Sequence, residues 1–148
     1  MARLVADAGL SDRIAIDSAG TGAWHTGEPA DRRSAAEARI RGIELTSRAR
    51  PFHPGDFYLF DLIVAMDRRN LADLRDLAPE ADLRAKVTLL RTFDPATGTL
   101  GLDPSDDLLA DLDVPDPYFG EGNGFARVFD IIDAACVGLL DHVRAEHP

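Results

Sequence analysis

The residues whose types and spacing best suit chemistry lie near the C-terminus, where an aspartate stands between two prolines and precedes two aromatic residues. The segment reads Asp113-Val-Pro-Asp-Pro-Tyr-Phe-Gly120. Its two X-Pro steps hold the backbone extended and stiff, which suits the presentation of the Asp116 carboxylate to a substrate but also suits an ordinary loop. An aspartate before a proline is commonly a turn residue. From the residues alone, Asp116 is therefore either a general acid or a turn former.

The chain offers no obvious nucleophile to accompany that carboxylate. Its single cysteine is Cys136, and position 142, six residues further on, is histidine, so no C-x5-R phosphate-binding sequence occurs in the 148 residues. Cys136 falls on the apolar stripe of a predicted helix, where a cysteine acts as a small hydrophobic residue. One cysteine cannot form an internal disulfide, which indicates a reducing compartment and predicts a cytoplasmic protein.

Composition narrows the possible partners. The formal net charge of −10 argues against a nucleic-acid or anionic-membrane partner, because both require a basic face. A small phosphorylated substrate stays compatible with this charge, since backbone N–H groups hold phosphate locally. No apolar run reaches the roughly 18 residues of a membrane-spanning helix, and the charged Arg3 and Asp7 argue against a signal peptide.

Neither the aspartates nor the histidines predict a metal site. The aspartates between residues 103 and 116 lack the spacing and central glycine of a calcium loop, so a solvated acidic loop is expected there. The histidines show no ligand spacing; they are His25, His53, His142 and His147.

Short apolar runs alternate with amphipathic segments, which predicts a single domain with an α/β fold and parallel strands. The run Asp61-Leu-Ile-Val-Ala-Met66 is typical of a parallel strand that is buried on both faces. Asp31 and Asp67 are expected to cap helices. The predicted strands are 13–18, 61–66 and 86–90, the helices are 1–8, 31–43, 67–77 and 124–144, and a loop is expected over 94–120.

Five separated motifs now point to one family. They are Ile16-Asp-Ser-Ala-Gly-Thr21, Trp24-His-Thr-Gly-Glu-Pro29, Phe60-Asp-Leu-Ile-Val-Ala-Met-Asp67, Asn70-Leu71 and Asp116-Pro-Tyr-Phe119. In order and spacing this set resembles the low-molecular-weight protein-tyrosine phosphatases over nearly the whole chain.

The resemblance implies a mechanism that uses no cofactor and no metal. A cysteine thiolate in a C-x5-R loop attacks the phosphorus of phosphotyrosine, fixed donors hold the phosphoryl oxygens, and a carboxylic acid protonates the leaving phenolate. Carried over by position, Asp116 is the general acid, and Tyr118 and Phe119 form an aromatic pair at the pocket mouth. Trp24 is a further wall of the substrate site, and Ser18 braces the phosphate loop. Phe119 stands where a second tyrosine is commoner.

The sequence departs from the family at its N-terminus, because the family's first strand and its C-x5-R-S loop are missing. The resemblance places that strand in the middle of the sheet, between the strands matching 13–17 and 61–66. We therefore expect residues 1–148 to form one N-terminally truncated, three-layer domain that lacks its first central strand and has no activity by itself.

The substrate class implied by the resemblance is a phosphotyrosine-containing protein or a small phosphomonoester. Two alternatives stay open. One is a non-catalytic module that binds its partner through Trp24, Tyr118 and Phe119. The other is a relative of the arsenate reductases, which share the fold but need further cysteines to relay electrons.

Overall fold

The centre of the fold is a pair of short parallel strands in a computed structural model that describes residues 1–97, 112–119 and 123–147, with Phe119 described by its backbone alone. Strand β1 (Ile63–Ala65) pairs with β2 (Val87–Leu89) in the register Ile63↔Val87, Val64↔Thr88 and Ala65↔Leu89. The predicted strands at 61–66 and 86–90 are thus confirmed, each with a shorter paired region.

Helices surround this pair. They are α1 (Ala2–Asp7), α2 (Arg32–Ile40), α3 (Asp56–Leu59), α4 (Arg68–Leu77), α5 (Ala81–Ala85) and α6 (Gly124–Glu146), with 3-10 turns at Leu90–Phe93 and Pro117–Phe119. The four longer ones, α1, α2, α4 and α6, were predicted, and the short helices α3 and α5 were not. None of the described helices combines the length and the hydropathy needed to cross a membrane.

The two faces of the sheet are covered by different helices, which gives the predicted three layers. Because successive side chains of a strand point to opposite faces, Ile63 and Ala65 join a buried cluster with Phe57 of α3, Leu74 of α4 and Leu83 of α5. Val64 lies on the other face. There it packs with Leu4 of α1 against a second cluster that is formed around α6 by Leu90, Phe93, Val114, Ala135, Cys136 and Leu139.

Helix boundaries follow from capping residues. The Asp31 side chain accepts the Arg33 N–H at 2.8 Å, and the Asp67 side chain accepts the Asn70 N–H at 2.7 Å, so both predicted caps are confirmed. Helix α2 ends at Ile40 rather than at Ile43, because Gly42 adopts a φ of 71° that favours glycine and terminates the helix.

The strand predicted at 13–18 is wrong. Its residues are not paired in a sheet, and Ile16 is 43% exposed. Among the residues described here the sheet has two strands, and β1 has no neighbour on the edge away from β2. A local β-like pattern becomes a strand only when a hydrogen-bonding partner lies beside it, and nothing in the described chain occupies that position.

Helix α6 contacts the 3-10 turn at 90–93 so closely that a side chain does not fit at Gly138. A Cβ atom there would overlap the carbonyl oxygen of Phe93. We expect Gly138→Ala to lower the free energy of unfolding. The methyl group would meet backbone, which cannot move aside as a side chain can, so the cost lies toward the upper end of the roughly 1–3 kcal/mol of overpacking and exceeds the gain of about 1 kcal/mol in helix propensity. Urea denaturation of the purified variant measures the change.

Gly55→Ala is the matched control, since a Cβ at Gly55 meets open space and its φ of −63° suits alanine. The control should keep the wild-type free energy of unfolding or exceed it slightly. Equal stability of the two variants would contradict the close contact of α6 with the turn.

Candidate active site

A cavity of about 460 Å³ lies beside the C-terminal end of β1. One wall is the turn 18–22 with residues 24–26, and the opposite wall is residues 63–66 of β1 and its end, with Asn70 and Leu74 of α4. In open parallel sheets, ligands bind outside the carboxyl ends of the strands. This cavity is therefore where sheet topology predicts a site.

A second cavity, of about 770 Å³, lies at the other end of the same gap. It is lined by Arg13, Ile14 and Ala15 on one side, by residues 59–62 on the other, and by the C-terminal part of α6. The two cavities thus lie in a gap between residues 13–26 on one side and residues 59–66 on the other. Among the described residues, β1 has no strand partner other than β2. That gap is where the family resemblance places a central strand.

An arginine fixes the turn that carries Ser18. The Arg50 guanidinium bridges two carboxylates, with Nη2 at 2.8 Å from Asp17 Oδ2 and Nη1 at 2.8 Å from the buried Asp56 Oδ2. Asp17 Oδ1 in turn accepts the Ser18 N–H at 2.7 Å. The turn is also bonded to residues 50–52, since the Gly20 N–H donates to the Arg50 carbonyl at 2.9 Å and the Gly20 carbonyl accepts from Phe52 at 2.8 Å.

These bonds keep both carboxylates ionised. The Ser18 N–H and then Arg50 lower the pKa of Asp17. For Asp56, the hydrogen bond from Arg50 lowers the pKa by more than burial raises it. Ser18 therefore lies next to a cluster in which the positive charge of Arg50 is paired with the negative charges of Asp17 and Asp56.

Trp24 lies at the mouth of the cavity and is 87% exposed. Its indole covers Gly22 so closely that a Cβ at Gly22 would overlap the ring. Next to it, His25 Nδ1 and Glu28 Oε2 are 2.9 Å apart. The absence of a side chain at Gly22 thus determines where the indole lies, and the indole is open to a ligand.

The segment that carries Asp116 starts at the rim of this cavity. The Val114 N–H donates to the carbonyl of Met66, a lining residue, at 2.8 Å. Asp113 accepts the Arg68 N–H at the start of α4 through Oδ1 at 2.8 Å, and its Oδ2 is 3.3 Å from Arg68 Nε. A carboxylate at a helix N-terminus is stabilised by the helix dipole. The base of the segment is consequently held at the end of β1.

Beyond this base, Asp116 and Tyr118 are exposed at the surface. Asp116 Oδ1 accepts the Tyr118 N–H at 2.9 Å, and this bond begins the 3-10 turn Pro117–Phe119. Tyr118 is 58% exposed. The backbone of Phe119 belongs to the turn, and its side chain lies outside the described part of the chain.

The structure brings together some of the predicted site residues and not others. Ser18 and Trp24 line one cavity. Asp116 and Tyr118 stand next to each other but outside the lining of that cavity, to which they are connected through Val114 and Met66. Cys136 is 5% exposed in the core, as predicted, and burial raises the pKa of its thiol, which agrees with a packing role.

Sequence reasoning missed three residues that shape the site, namely Arg33, Arg50 and Asp113. Each acts through a partner that is distant in the sequence: Tyr118 for Arg33, Asp17 for Arg50, and Arg68 for Asp113. Spacing along the chain carries no information on such pairs. The only local sign was Asp31, which was identified as a helix cap and also pairs with Arg33.

Known proteins are similar to this chain in both sequence and fold. The chain is 44% identical over 142 residues to a low molecular weight protein-tyrosine-phosphatase of Streptomyces coelicolor, a match that covers 96% of this chain and 80% of that protein. It is 41% identical over 135 residues to low molecular weight protein-tyrosine phosphatase A of Mycobacterium tuberculosis, which covers 91% of this chain and 74% of that protein.

A solved structure agrees with these relatives. The protein tyrosine phosphatase of Entamoeba histolytica superposes with a TM-score of 0.84 at 32% identity, over 99% of this chain and 85% of that one. A sequence model described as low molecular weight phosphotyrosine protein phosphatase matches residues 1–148. The chain belongs to the low molecular weight phosphotyrosine protein phosphatase family.

Proposed function

We propose that this chain provides the acid-donating and substrate-binding parts of an enzyme that hydrolyses phosphotyrosine or small phosphomonoesters in the cytoplasm. One observation carries the proposal. The segment with Asp116 is hydrogen-bonded at its base to Met66, at the end of β1 and at the rim of the cavity that Ser18 and Trp24 line. A carboxylate held at that position is able to approach a leaving group that points out of the cavity.

Asp116 is assigned the role of general acid. The Tyr118 N–H engages its Oδ1, so the other carboxylate oxygen is the one that delivers the proton to the phenolate. Protonation matters because an anionic phenolate is a poor leaving group. The proline on each side restricts the backbone of this segment. Because the segment has few backbone conformations to lose, holding the carboxylate in place costs little conformational entropy.

Trp24, Tyr118 and Phe119 are assigned to the walls of the substrate site, and Ser18 to the support of a phosphate loop. Trp24 and Tyr118 are both exposed aromatic residues; Trp24 lines the cavity, and Tyr118 belongs to the segment that is bonded at its base to the lining residue Met66. An aromatic wall suits the flat ring of phosphotyrosine. The names of the relatives, which are protein-tyrosine phosphatases, support the same substrate class.

The attack on phosphorus requires a thiolate and an arginine in a C-x5-R loop, and the 148 residues contain no such sequence. We propose that the gap beside β1 receives a strand followed by that loop. Both faces of β1 are covered, its residues line the first cavity, and the residues just before it line the second. The chain extended at its N-terminus by a strand and a C-x5-R-S loop is called the extended chain below.

A binding module without catalysis is the second candidate, and the high exposure of Trp24 and Tyr118 favours it. The two functions differ in one measurement. A phosphatase turns over a phosphomonoester when the loop is supplied, whereas a binding module holds a phosphotyrosyl peptide and releases it unchanged.

The central test replaces Asp116 in the extended chain by asparagine, which cannot donate the proton. We expect kcat for phenyl phosphate to fall by about 10²–10⁴-fold. The fall should be much smaller for p-nitrophenyl phosphate, whose leaving group needs no proton. Asp73→Asn, which changes an exposed carboxylate on α4, should leave both rates unchanged.

The unextended 148-residue chain should hydrolyse neither ester. Turnover by that chain, or an extended chain that is inactive although its loop is present and folded, would refute the proposed function.

A second test concerns the aromatic wall. Trp24→Ala in the extended chain should raise KM for a phosphotyrosyl peptide by about two- to tenfold, since one aromatic contact is worth about 0.5–1.5 kcal/mol. Because this contact is the same in the ground state and the transition state, kcat should change little. Steady-state kinetics separate the two parameters.

Two glycine variants provide the matched pair for this test. Gly22→Ala should displace the indole and reproduce the increase in KM, whereas Gly20→Ala has room for its methyl group and should not. Trp24 is the only tryptophan, so its fluorescence reports the displacement directly. Equal KM values for the two glycine variants would contradict the assignment of Trp24 to the substrate site.

A further inference from the structure

Arg33 of α2 lies between the segment that carries Asp116 and the start of α6. Its guanidinium donates from Nη1 to the Tyr118 carbonyl at 3.4 Å. Its Cζ lies 5.1 Å from the centre of the Tyr118 ring and 4.7 Å from the centre of the Phe125 ring. One cation therefore contacts a backbone carbonyl and two aromatic rings, which belong to the 3-10 turn and to α6.

Asp31 orients this guanidinium. Arg33 Nε is 3.1 Å from Asp31 Oδ1, and Arg33 Nη2 is 3.0 Å from Asp31 Oδ2, so the pair is bidentate. The hydrogen bond from the Arg33 side chain is the main reason that the pKa of Asp31 falls to about 2. Asp31 is thus ionised at neutral pH. The two-point contact sets the plane of the guanidinium and with it the direction of Nη1.

Tyr118 links Arg33 to the proposed general acid. Its carbonyl accepts from Arg33, while its own N–H donates to Asp116 Oδ1 at 2.9 Å. The backbone of one residue therefore connects the guanidinium to the carboxylate. If the Tyr118 backbone moves, the orientation of the Asp116 carboxylate changes with it.

We propose that Arg33 is a positioning residue for the general acid. It holds the Tyr118 backbone and ring, and through them it keeps the Asp116 carboxylate directed at the leaving group. Arg33 does not touch the substrate in this account. The proposal has a mechanical part and a catalytic part. The mechanical part, that Arg33 holds the 3-10 turn, is independent of the proposed function. The catalytic part, that Arg33 thereby positions the acid, rests on the proposed function.

The mechanical part is tested in the 148-residue chain by amide hydrogen exchange. Arg33→Met keeps much of the side-chain volume but removes the positive charge and the N–H donors of the guanidinium. We expect the Tyr118 amide to exchange about two- to fivefold faster, the factor that corresponds to the loss of an exposed cation–π contact. Amides in the middle of α4 should exchange at the wild-type rate.

The catalytic part is tested in the extended chain by its dependence on the leaving group. Arg33→Met should lower kcat for phenyl phosphate by about tenfold, because small displacements of a catalytic group have large effects. For p-nitrophenyl phosphate kcat should fall less than twofold, and both KM values should stay the same. General damage to the fold would lower both rates together.

Arg32→Met is the matched control, because Arg32 is exposed and is the neighbouring arginine on the same helix. It should leave exchange and kinetics at wild-type values. If Arg33→Met fails to fold, Arg33→Lys replaces it; lysine keeps the charge but cannot form the bidentate pair, so the same changes are expected in smaller size.

The outcomes are separable. Wild-type exchange at Tyr118 in the folded Arg33 variants overturns the inference, whatever the catalytic result. Inactivity of the wild-type extended chain refutes the proposed function and leaves the exchange measurement to decide on Arg33. An active wild type with an Asp116→Asn effect, but with equal kinetics for Arg33→Met and Arg32→Met, refutes the positioning role alone.

Discussion

The geometry of the site depends on the parallel pairing of β1 with β2. Three residue pairs align the strands, and the burial of both faces by separate helical clusters fixes the depth of β1 in the molecule. Because β1 ends at a defined place, the Met66 carbonyl and the first N–H groups of α4 stand at that end. These groups bind Val114 and Asp113. The segment with the proposed acid is therefore positioned by the backbone of the sheet.

The other constraint is the edge of β1 that has no strand partner in the described part of the chain. A strand that is buried on both faces normally has hydrogen-bonding partners on both edges, and exposed edges are points at which another strand adds. Here β1 lines the first cavity, and residues 59–62, just before β1, line the second together with residues 13–15. Ile14 is half-buried, and Ala15 and Ile16 are exposed. Residues 13–22 on one side of the gap and β1 on the other therefore lie where the two neighbours of a central strand would lie.

Arginine pairs hold the irregular segments around the site on this acidic protein. Arg50 joins the turn at Asp17 to Asp56, and Arg33 joins α2 to the turn at Tyr118. Both arginines bind a carboxylate with several donors, and this fork geometry is available to arginine but not to lysine. Surface ion pairs contribute little to stability as a rule. Their importance here lies in orientation, since each pair determines where a loop backbone runs.

The parts of the fold that could be predicted are those encoded locally. The run at 61–66 indicated a buried strand, Asp31 and Asp67 indicated helix starts, and the stripe around Cys136 indicated the core face of α6, and all of these are confirmed. The strand at 13–18 failed because pairing is a non-local property, even though its local pattern was sound.

The difference between local patterns and non-local contacts also explains which parts of the candidate site could be predicted. The order of the motifs was sufficient to predict that Ser18 and Trp24 lie beside one cavity. It gave no sign of Arg33, which contacts Tyr118, 85 residues away in the sequence. A motif in one sequence shows which residue types stand at which spacing, whereas a pair of residues distant in the sequence becomes visible only through its contact in three dimensions. The contacts of Arg33 with Tyr118 and of Arg50 with Asp56 and Asp17 are therefore properties of the folded chain that the spacing of residues in the sequence does not encode.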